Sequence, residues 1–161
     1  MRGQGTGIRG RESEISDQAA EDGKPKSGIR KGTTMGVRSA KELVVYQKAY
    51  ELAMRVFELS KRFPPEERFA LISQIRRSSR SVCLNLREAW AKRRYAAHFV
   101  SKLTDCDGEN SETDSALDFA RDCGYLNVSE HQELTSLGDE VGRMLGSMIK
   151  KPGAFLLTPD P

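Results

Sequence analysis

The sequence predicts an all-α protein, an antiparallel up-down four-helix bundle, and three observations support this fold class. Apolar residues recur in four segments at spacings of three and four residues, the period at which side chains share one face of a helix. Only short breaks separate the segments, which favours consecutive helices that lie side by side in opposite directions. Helix-capping and helix-stopping residues stand near the segment ends. The bundle is expected over residues 39–151.

The first helix is predicted from about residue 39 to residue 62. Ser39 followed by Glu42 is a capping-box pattern, and Pro64-Pro65 cannot continue the hydrogen-bond ladder beyond the segment. The predicted core stripe has 3, 4, 3, 4, 3 spacing and consists of Leu43, Tyr46, Tyr50, Ala53, Phe57 and Ser60. A second apolar stripe beside it either widens the core or makes contacts between subunits, and it consists of Val45, Ala49, Leu52, Val56 and Leu59.

The second and third helices are predicted from Glu66 or Glu67 to about Lys92, and from Tyr95 to Asp122. The apolar face of the second consists of Leu71, Ile72, Ile75, Val82, Leu86 and Ala89, with Trp90 at its edge. The third ends before Gly124, a plausible left-handed C′ residue, and its stripe consists of Phe99, Leu103, Cys106, Asn110, Thr113, Leu117 and Ala120. The two polar members of this stripe should find hydrogen-bond partners and fix the register of the helices.

The fourth helix is predicted from Ser129, with Gln132 completing a capping box, to Lys150, and Pro152 follows it. Its apolar stripe consists of Leu134, Leu137, Val141, Met144 and Met148. Three glycines recur every four residues on one face, at Gly138, Gly142 and Gly146. Each costs roughly 1 kcal/mol relative to alanine in a helix interior, so we expect a close approach of another backbone to this face.

The two ends of the chain are predicted to be disordered tails, over residues 1–38 and 152–161. Residues 1–38 contain eight glycines and almost no large apolar group, so they cannot bury enough surface to offset the entropy of ordering. Met35 is the favoured translation start, which would make residues 1–34 an over-long start. The alternative is a basic arm that contacts RNA.

The composition favours a cytoplasmic protein with no membrane segment. No apolar run approaches the roughly 18 residues of a spanning helix, and the arginines near the N-terminus are not followed by the apolar region of a secretory signal. The three cysteines, Cys83, Cys106 and Cys123, show no CxxC spacing. We interpret them as buried small hydrophobic residues in a reducing compartment.

Charge is distributed unevenly along the chain. Residues 1–41 carry nine basic and five acidic groups (+4), residues 42–104 carry thirteen and six (+7), and residues 105–161 carry four and twelve (−8). This split could serve pairing between helices, self-assembly, or a basic surface for nucleic acid.

The sequence shows no catalytic constellation. It has two histidines, no Gly-x-Ser-x-Gly and no phosphate-cradling glycine loop. A carboxylate-bridged metal site in a bundle needs Glu-x-x-His, but Tyr95 and Val128 stand three residues before His98 and His131. We therefore expect no enzymatic activity, no metal and no cofactor.

The candidate binding residues are cations on and just after the second helix. Arg76, Arg80, Arg87 and Arg94 are spaced 4, 7 and 7 residues apart, which places them within about 40° of one another around the helix. With Arg77, Lys92 and Arg93 they could contact phosphates. The alternative is that Arg76, Arg77 and Arg80 form structural ion pairs with acids of the third helix, namely Asp105, Glu109 and Glu112. The remaining four, Arg87, Lys92, Arg93 and Arg94, lie near the helix end and would face solvent or a ligand, so they are the first choice as phosphate contacts and the other three are the second.

The chain resembles the four-helix-bundle family of 23S rRNA intervening-sequence proteins over about residues 41–150. The motifs that carry the resemblance are Val45-Tyr46-Gln47-Lys48-Ala49, Phe63-Pro64-Pro65-Glu66-Glu67-Arg68-Phe69, Ser73-Gln74-Ile75-Arg76-Arg77-Ser78, Ser81-Val82 through Asn85, Glu109, Glu112, Cys123-Gly124-Tyr125-Leu126 and Gly142-Arg143-Met144-Leu145. One departure is Asn85-Leu86-Arg87-Glu88-Ala89, where the family usually reads Asn-Ile-Ala-Glu-Gly; the missing glycine bears on any close approach made there.

The resemblance implies an up-down bundle that assembles into a ring, commonly a homopentamer. A related group is the accessory variability determinant of diversity-generating retroelements, in which a basic pentamer partners a reverse transcriptase and nucleic acid. Other members are encoded within rRNA genes and have no settled activity. We therefore expect a non-enzymatic homo-oligomer that binds RNA or another nucleic acid. The alternative is a scaffold or adaptor, such as a reverse-transcriptase accessory subunit, that binds only protein and uses its arginines within the assembly.

Overall fold

A computed structural model of the chain describes residues 36–157. Within this range the chain forms four α-helices: α1 (Val44–Ser60), α2 (Leu71–Ala91), α3 (Ala96–Asp122) and α4 (Val128–Lys150). Each helix packs against the next one, and α4 packs against α1, so the architecture is the predicted up-down four-helix bundle. The predicted disordered tail of residues 1–38 lies outside the described residues as far as residue 35, as does the predicted start at Met35. Within its last three residues, Val37 packs against the core, which the prediction of disorder did not anticipate.

The starts of three helices differ from the predicted ones. Ser39 caps a short 3-10 helix, Ala40–Glu42, that precedes α1, and the Glu42 carboxylate accepts a hydrogen bond from the Arg38 backbone N–H at 3.2 Å. Another 3-10 helix, Pro65–Glu67, occupies the predicted start of α2, because the two prolines set the chain direction before the helix can begin. The capping box of α4 is formed by Asn127 and Glu130, two residues before the predicted pair.

The helix α3 agrees closely with its predicted stripe, because all seven stripe residues are buried. Its two polar members bind neighbouring helices. The Asn110 side chain donates from Nδ2 to the Gly138 carbonyl of α4 at 2.9 Å, and the Thr113 hydroxyl donates to Ser78 Oγ of α2 at 2.9 Å. These bonds tie α3 to both of its neighbours, which sets their register as expected. Gly124 after the helix has a φ of +78°, the predicted left-handed conformation.

The face of α1 that enters the core is the second predicted stripe. Val45, Ala49, Leu52 and Val56 are buried together with Ala53 and Ser60, whereas Tyr50 of the first stripe is 54% exposed. Leu43, Ala53 and Ser60 of the first stripe are also buried, and Tyr46 packs against the core from its edge. The prediction for the first stripe is therefore correct only in part, and the second stripe widens the core, which is one of its two predicted roles.

Two of the three α4 glycines lie beside the side chain of Asn110 and not beside the backbone of another helix. A Cβ added at Gly142 would lie 3.4 Å from Asn110 Nδ2, and one added at Gly138 would lie 3.9 Å from Asn110 Oδ1. Nothing lies within 4 Å of the corresponding position at Gly146. The expected close approach of another backbone is therefore not made at these positions within the described bundle, and the Asn110 amide lies beside two of them.

The segment after α4 differs from the predicted disordered tail as far as residue 157. Pro152–Ala154 form a 3-10 helix, and the Phe155 ring stacks on Phe99 with centroids 6.2 Å apart. The Leu157 backbone N–H donates to the Arg93 carbonyl at 3.2 Å. The Phe155 side chain packs against the end of the core, so these residues are part of the bundle. Val37, near the other end of the described chain, packs against the core in the same way.

Two of the three cysteines are buried, and the third is not. Burial raises the pKa of the Cys83 thiol to about 11 and that of Cys106 to about 12, so both remain protonated at neutral pH. Cys123 is exposed, because it follows the last turn of α3, where the chain leaves the core. The helices described here include none with the length and apolar character needed to span a membrane.

Candidate nucleic-acid interface

A shallow groove on the outer face of α2 brings basic and apolar side chains together. We call it the basic groove; it is lined by Arg68, Phe69, Ile72, Ser73, Arg76, Arg77, Arg80, Ser81 and Leu84. Leu71, Ile75 and Val82 of the same helix point into the core, so helical periodicity turns the intervening arginines outwards. The result is three guanidinium groups along α2 and a fourth, that of Arg68, just before it, with two exposed apolar side chains beside them.

Arg76 and Arg80 lie one helical turn apart and share an aromatic support. Their guanidinium carbons are 4.8 Å and 5.6 Å from the centroid of the Phe57 ring on α1. Arg76 Nε also donates to Ser60 Oγ at 2.7 Å. Within residues 36–157 neither guanidinium has a carboxylate within ion-pair distance, which leaves most of their N–H donors available to a ligand.

Arg77 lies on the same helix but turns towards α3. It contacts Glu109 at 3.3 Å and also pairs with Glu112. The hydrogen bond that Arg77 donates to Glu112, together with the charge of both acids, raises the pKa of Arg77. Asp105 lies apart from these arginines and pairs with Lys102 at 3.1 Å, one turn earlier on α3. Of the three arginines proposed for structural ion pairs, the structure therefore places only Arg77 against acids of α3.

The other four candidate cations lie at the end of the bundle where α2 stops and α3 begins. We call this surface the basic end. Arg87 donates to Ser39 Oγ at 3.1 Å, and Arg93 covers Trp90 with its guanidinium carbon 4.2 Å from the ring centroid. Lys92 and Arg94 are exposed in the turn. Further cations lie at the same end because α1 begins there and α4 ends there, namely Arg38, Lys41, Lys150 and Lys151.

The side of the bundle formed by α3 and α4 has the opposite charge. A groove between these helices contains Asp107, Asp114 and Asp139, with Asn110 and Gly142 among its other lining residues. We call it the acidic groove. Burial raises the pKa of Asp114, and the negative charges of Asp118 and Asp139 raise it further.

The comparisons with known proteins concern the bundle as a whole. A family model described as 23S rRNA-intervening sequence protein matches residues 41–147. The chain belongs to this family. A search of curated proteins finds no match. A similar solved structure is that of a protein of unknown function from the S23 ribosomal protein family of Bacteroides thetaiotaomicron, with 30% identity and a TM-score of 0.61. The similarity covers 67% of this chain and 96% of that one.

The departure from the usual motif of the intervening-sequence proteins can now be placed in the structure. Ala89, which stands where the family usually has glycine, is 1% exposed and belongs to the core cluster. Its methyl group therefore takes up space inside the bundle rather than on a ligand-binding surface. Arg87, which stands where the family usually has alanine, faces outwards at the basic end.

Three members of the basic groove were not predicted from the sequence of this intervening-sequence protein: Arg68, Phe69 and Leu84. Phe69 is 89% exposed, and the guanidinium carbon of Arg68 lies 5.4 Å from the centroid of its ring. Both precede α2, in the turn that the sequence assigned to the helix. The available signal was that Phe69 and Leu84 fall outside the apolar face of the second helix.

No metal-binding group accompanies these surfaces in the described part of the chain. Among those residues, no three histidine, cysteine, aspartate or glutamate side chains are grouped so that they could hold a metal ion. The basic groove offers guanidinium groups for anions and an exposed ring for stacking.

Proposed function

We propose that this intervening-sequence protein is a non-enzymatic nucleic-acid-binding protein and that the basic groove is its RNA interface. The observation that carries the proposal is the pair Arg76 and Arg80, held over Phe57 without a carboxylate partner in the described bundle. Arginine binds phosphate through paired donors, and the release of counterions from the nucleic acid contributes to affinity.

The apolar members of the groove favour RNA that contains unpaired bases. Phe69 exposes nearly all of its ring next to Arg68, and an exposed ring next to a cation offers a stacking surface to a base. Bases in single strands and loops can be turned out to stack on aromatic and guanidinium planes, whereas bases inside a duplex cannot. The basic end would add phosphate contacts, since Lys92 and Arg94 are exposed there.

Replacing both Arg76 and Arg80 by glutamine is expected to weaken RNA binding about 10- to 100-fold at about 50 mM salt, because two phosphate contacts are lost. The slope of log affinity against log salt should become flatter by about 2, or about 1 for each contact. Fluorescence anisotropy with a labelled RNA hairpin measures both quantities. Phe69→Ala should weaken binding without changing the slope, because stacking releases no counterions.

A matched control removes the same charge elsewhere. Arg55 pairs with Glu133 and Arg121 contacts Asp122 at 2.8 Å, so the double variant Arg55→Gln/Arg121→Gln should keep the affinity and the slope. The proposal is wrong if neither a hairpin nor a single strand binds the unmodified chain at about 50 mM salt. The protein-only adaptor would then remain.

We also propose that the chain forms a homo-oligomer, which the family resemblance suggests is a pentamer. Such an assembly is compatible with RNA binding and with the protein-only adaptor. Exposed apolar residues on α1, namely Val44, Tyr50 and Met54, support contact with another copy, since they have no place in the bundle core. The basic and acidic grooves lie on different faces, so the two surfaces could meet between neighbouring subunits.

The oligomer is tested by its mass. Light scattering at low and moderate salt should give a multiple of the 18.0 kDa chain mass. Replacing Tyr50 and Met54 by serine should lower that multiple, because apolar contact area is removed. A monomer mass for the unmodified chain at both salt concentrations would contradict the proposal.

A further inference from the structure

The acidic groove between α3 and α4 contains a buried acceptor that the bundle itself does not use. Asn110 is 7% exposed, and its Nδ2 donates to the Gly138 carbonyl. That bond fixes the orientation of the amide, because Oδ1 in the same place would face another oxygen. Asn110 Oδ1 then has no hydrogen-bond partner within residues 36–157. A buried acceptor without a donor is unfavourable, so a donor supplied by a ligand would stabilise it.

Asn110 lines the acidic groove because two residues of α4 lack side chains. Gly138 and Gly142 lie directly against Asn110, at the distances given above for an added Cβ, and both line the groove. A methyl group at Gly142 would sit at an ordinary van der Waals distance from Nδ2 and would cover the amide. The two glycines thus open a narrow slot whose floor is the Asn110 amide.

The charges around the slot select a cation. Asp107 and Asp114 lie along the α3 side, and Asp139 lies on the α4 side. Arg143 lines the same groove but is exposed and pairs with no carboxylate in the described part of the chain. Three carboxylates against one guanidinium leave the groove net negative.

The acceptors are spread over both sides of the slot rather than gathered around a point, and they form no metal-binding group among residues 36–157. A guanidinium group carries five N–H donors in a flat fork and fits such a spread, whereas an ammonium group concentrates its three donors at one atom. We propose that the acidic groove binds the guanidinium group of an arginine side chain presented by a protein, with Asn110 Oδ1 accepting one N–H bond and Asp114 and Asp139 supplying the counter-charge.

The test uses the full chain labelled with ¹⁵N and two probes that differ only in the cation, N-acetyl-arginine amide and N-acetyl-lysine amide. The arginine probe should shift the Asn110 side-chain amide resonances saturably, and it should bind about 5- to 10-fold more tightly than the lysine probe, because only the guanidinium makes a planar set of bonds. Asp139→Asn should weaken the binding of the arginine probe by a similar factor, since one counter-charge is lost.

Gly142→Ala is the decisive variant, because alanine is favoured over glycine in a helix and the fold should persist. It should weaken the arginine probe at least about 5-fold by covering the amide that supplies one charge-assisted bond. Gly146→Ala is the matched control on the same helix, with nothing within 4 Å of the added methyl, and should leave binding unchanged. Equal affinities for the two probes, unchanged binding in Gly142→Ala, or the absence of a saturable shift would each overturn the proposal.

Discussion

Replacing Phe99 by alanine is expected to lower the free energy of unfolding by about 3–5 kcal/mol, the usual cost of emptying a large buried site. Phe99 is 1% exposed, and its ring also supports Phe155 of the segment after α4. The substitution therefore removes core volume and undocks the C-terminal segment at once. Urea unfolding followed by circular dichroism at 222 nm measures the loss.

The control for this variant is Phe119→Ala on the same helix. Phe119 is 66% exposed, so its removal should change stability by no more than about 0.5 kcal/mol. Both measurements need one protein concentration, because self-association would make stability depend on concentration. A loss below about 1 kcal/mol for Phe99→Ala would show that this end of the core is not packed as described.

Replacing Asn110 by aspartate is expected to cost about 3 kcal/mol at neutral pH, since a buried charge without a partner is introduced. The new carboxylate would lose the N–H that now reaches the Gly138 carbonyl and would stand in the groove that holds Asp114 and Asp139. Burial and like charges raise the pKa of such a group in the folded state above its unfolded value.

The sign of the pH dependence follows from that shift. In the variant, the folded state accommodates the new carboxyl group at position 110 better when that group is protonated. The protonated form is fully populated below the unfolded pKa, about 4, and the stability that it provides is lost as pH rises through the raised folded pKa. The variant should therefore be less destabilised near pH 4 than near pH 7. Asn110→Leu, which adds no titratable group, serves as the control. If the loss in Asn110→Asp does not vary with pH, the site is more hydrated than the structure indicates.

Much of the bundle could be predicted from the sequence because three helices have one apolar face each. In α3 all seven stripe residues are buried, since the large apolar residues outside the stripe, such as Val100 and Phe119, are too few to form a rival face. The proline pair and Gly124 act through the backbone itself, so their effect does not depend on what packs nearby.

The face of α1 could not be predicted in this way, because the helix carries two apolar stripes of the same period. Periodicity identifies a face as apolar, but the choice between two such faces depends on the shapes of the neighbouring helices. Phe57 lies beneath the arginines of α2 rather than in the core, a contact between residues distant in sequence.

The arginines of the candidate site could be predicted from the sequence, but the residues that pack beside them could not. Spacing placed Arg76 and Arg80 on one side of α2, yet their aromatic support comes from another helix. Phe69 is exposed only because Pro65–Glu67 form a 3-10 helix, which delays the start of α2. The unused acceptor of Asn110 follows from the orientation of one amide, which no sequence pattern records.

Trp90 gives the molecule a built-in optical reporter at the basic end. It is the sole tryptophan of the chain; its ring is buried, and its indole Nε1 has no acceptor among the described residues. Arg93, a candidate phosphate contact, covers the ring with its guanidinium and holds the segment after α4 through its carbonyl. An anion that draws Arg93 away, or release of that segment, would change the ring's surroundings and hence its emission, so events at this end are visible without any added dye.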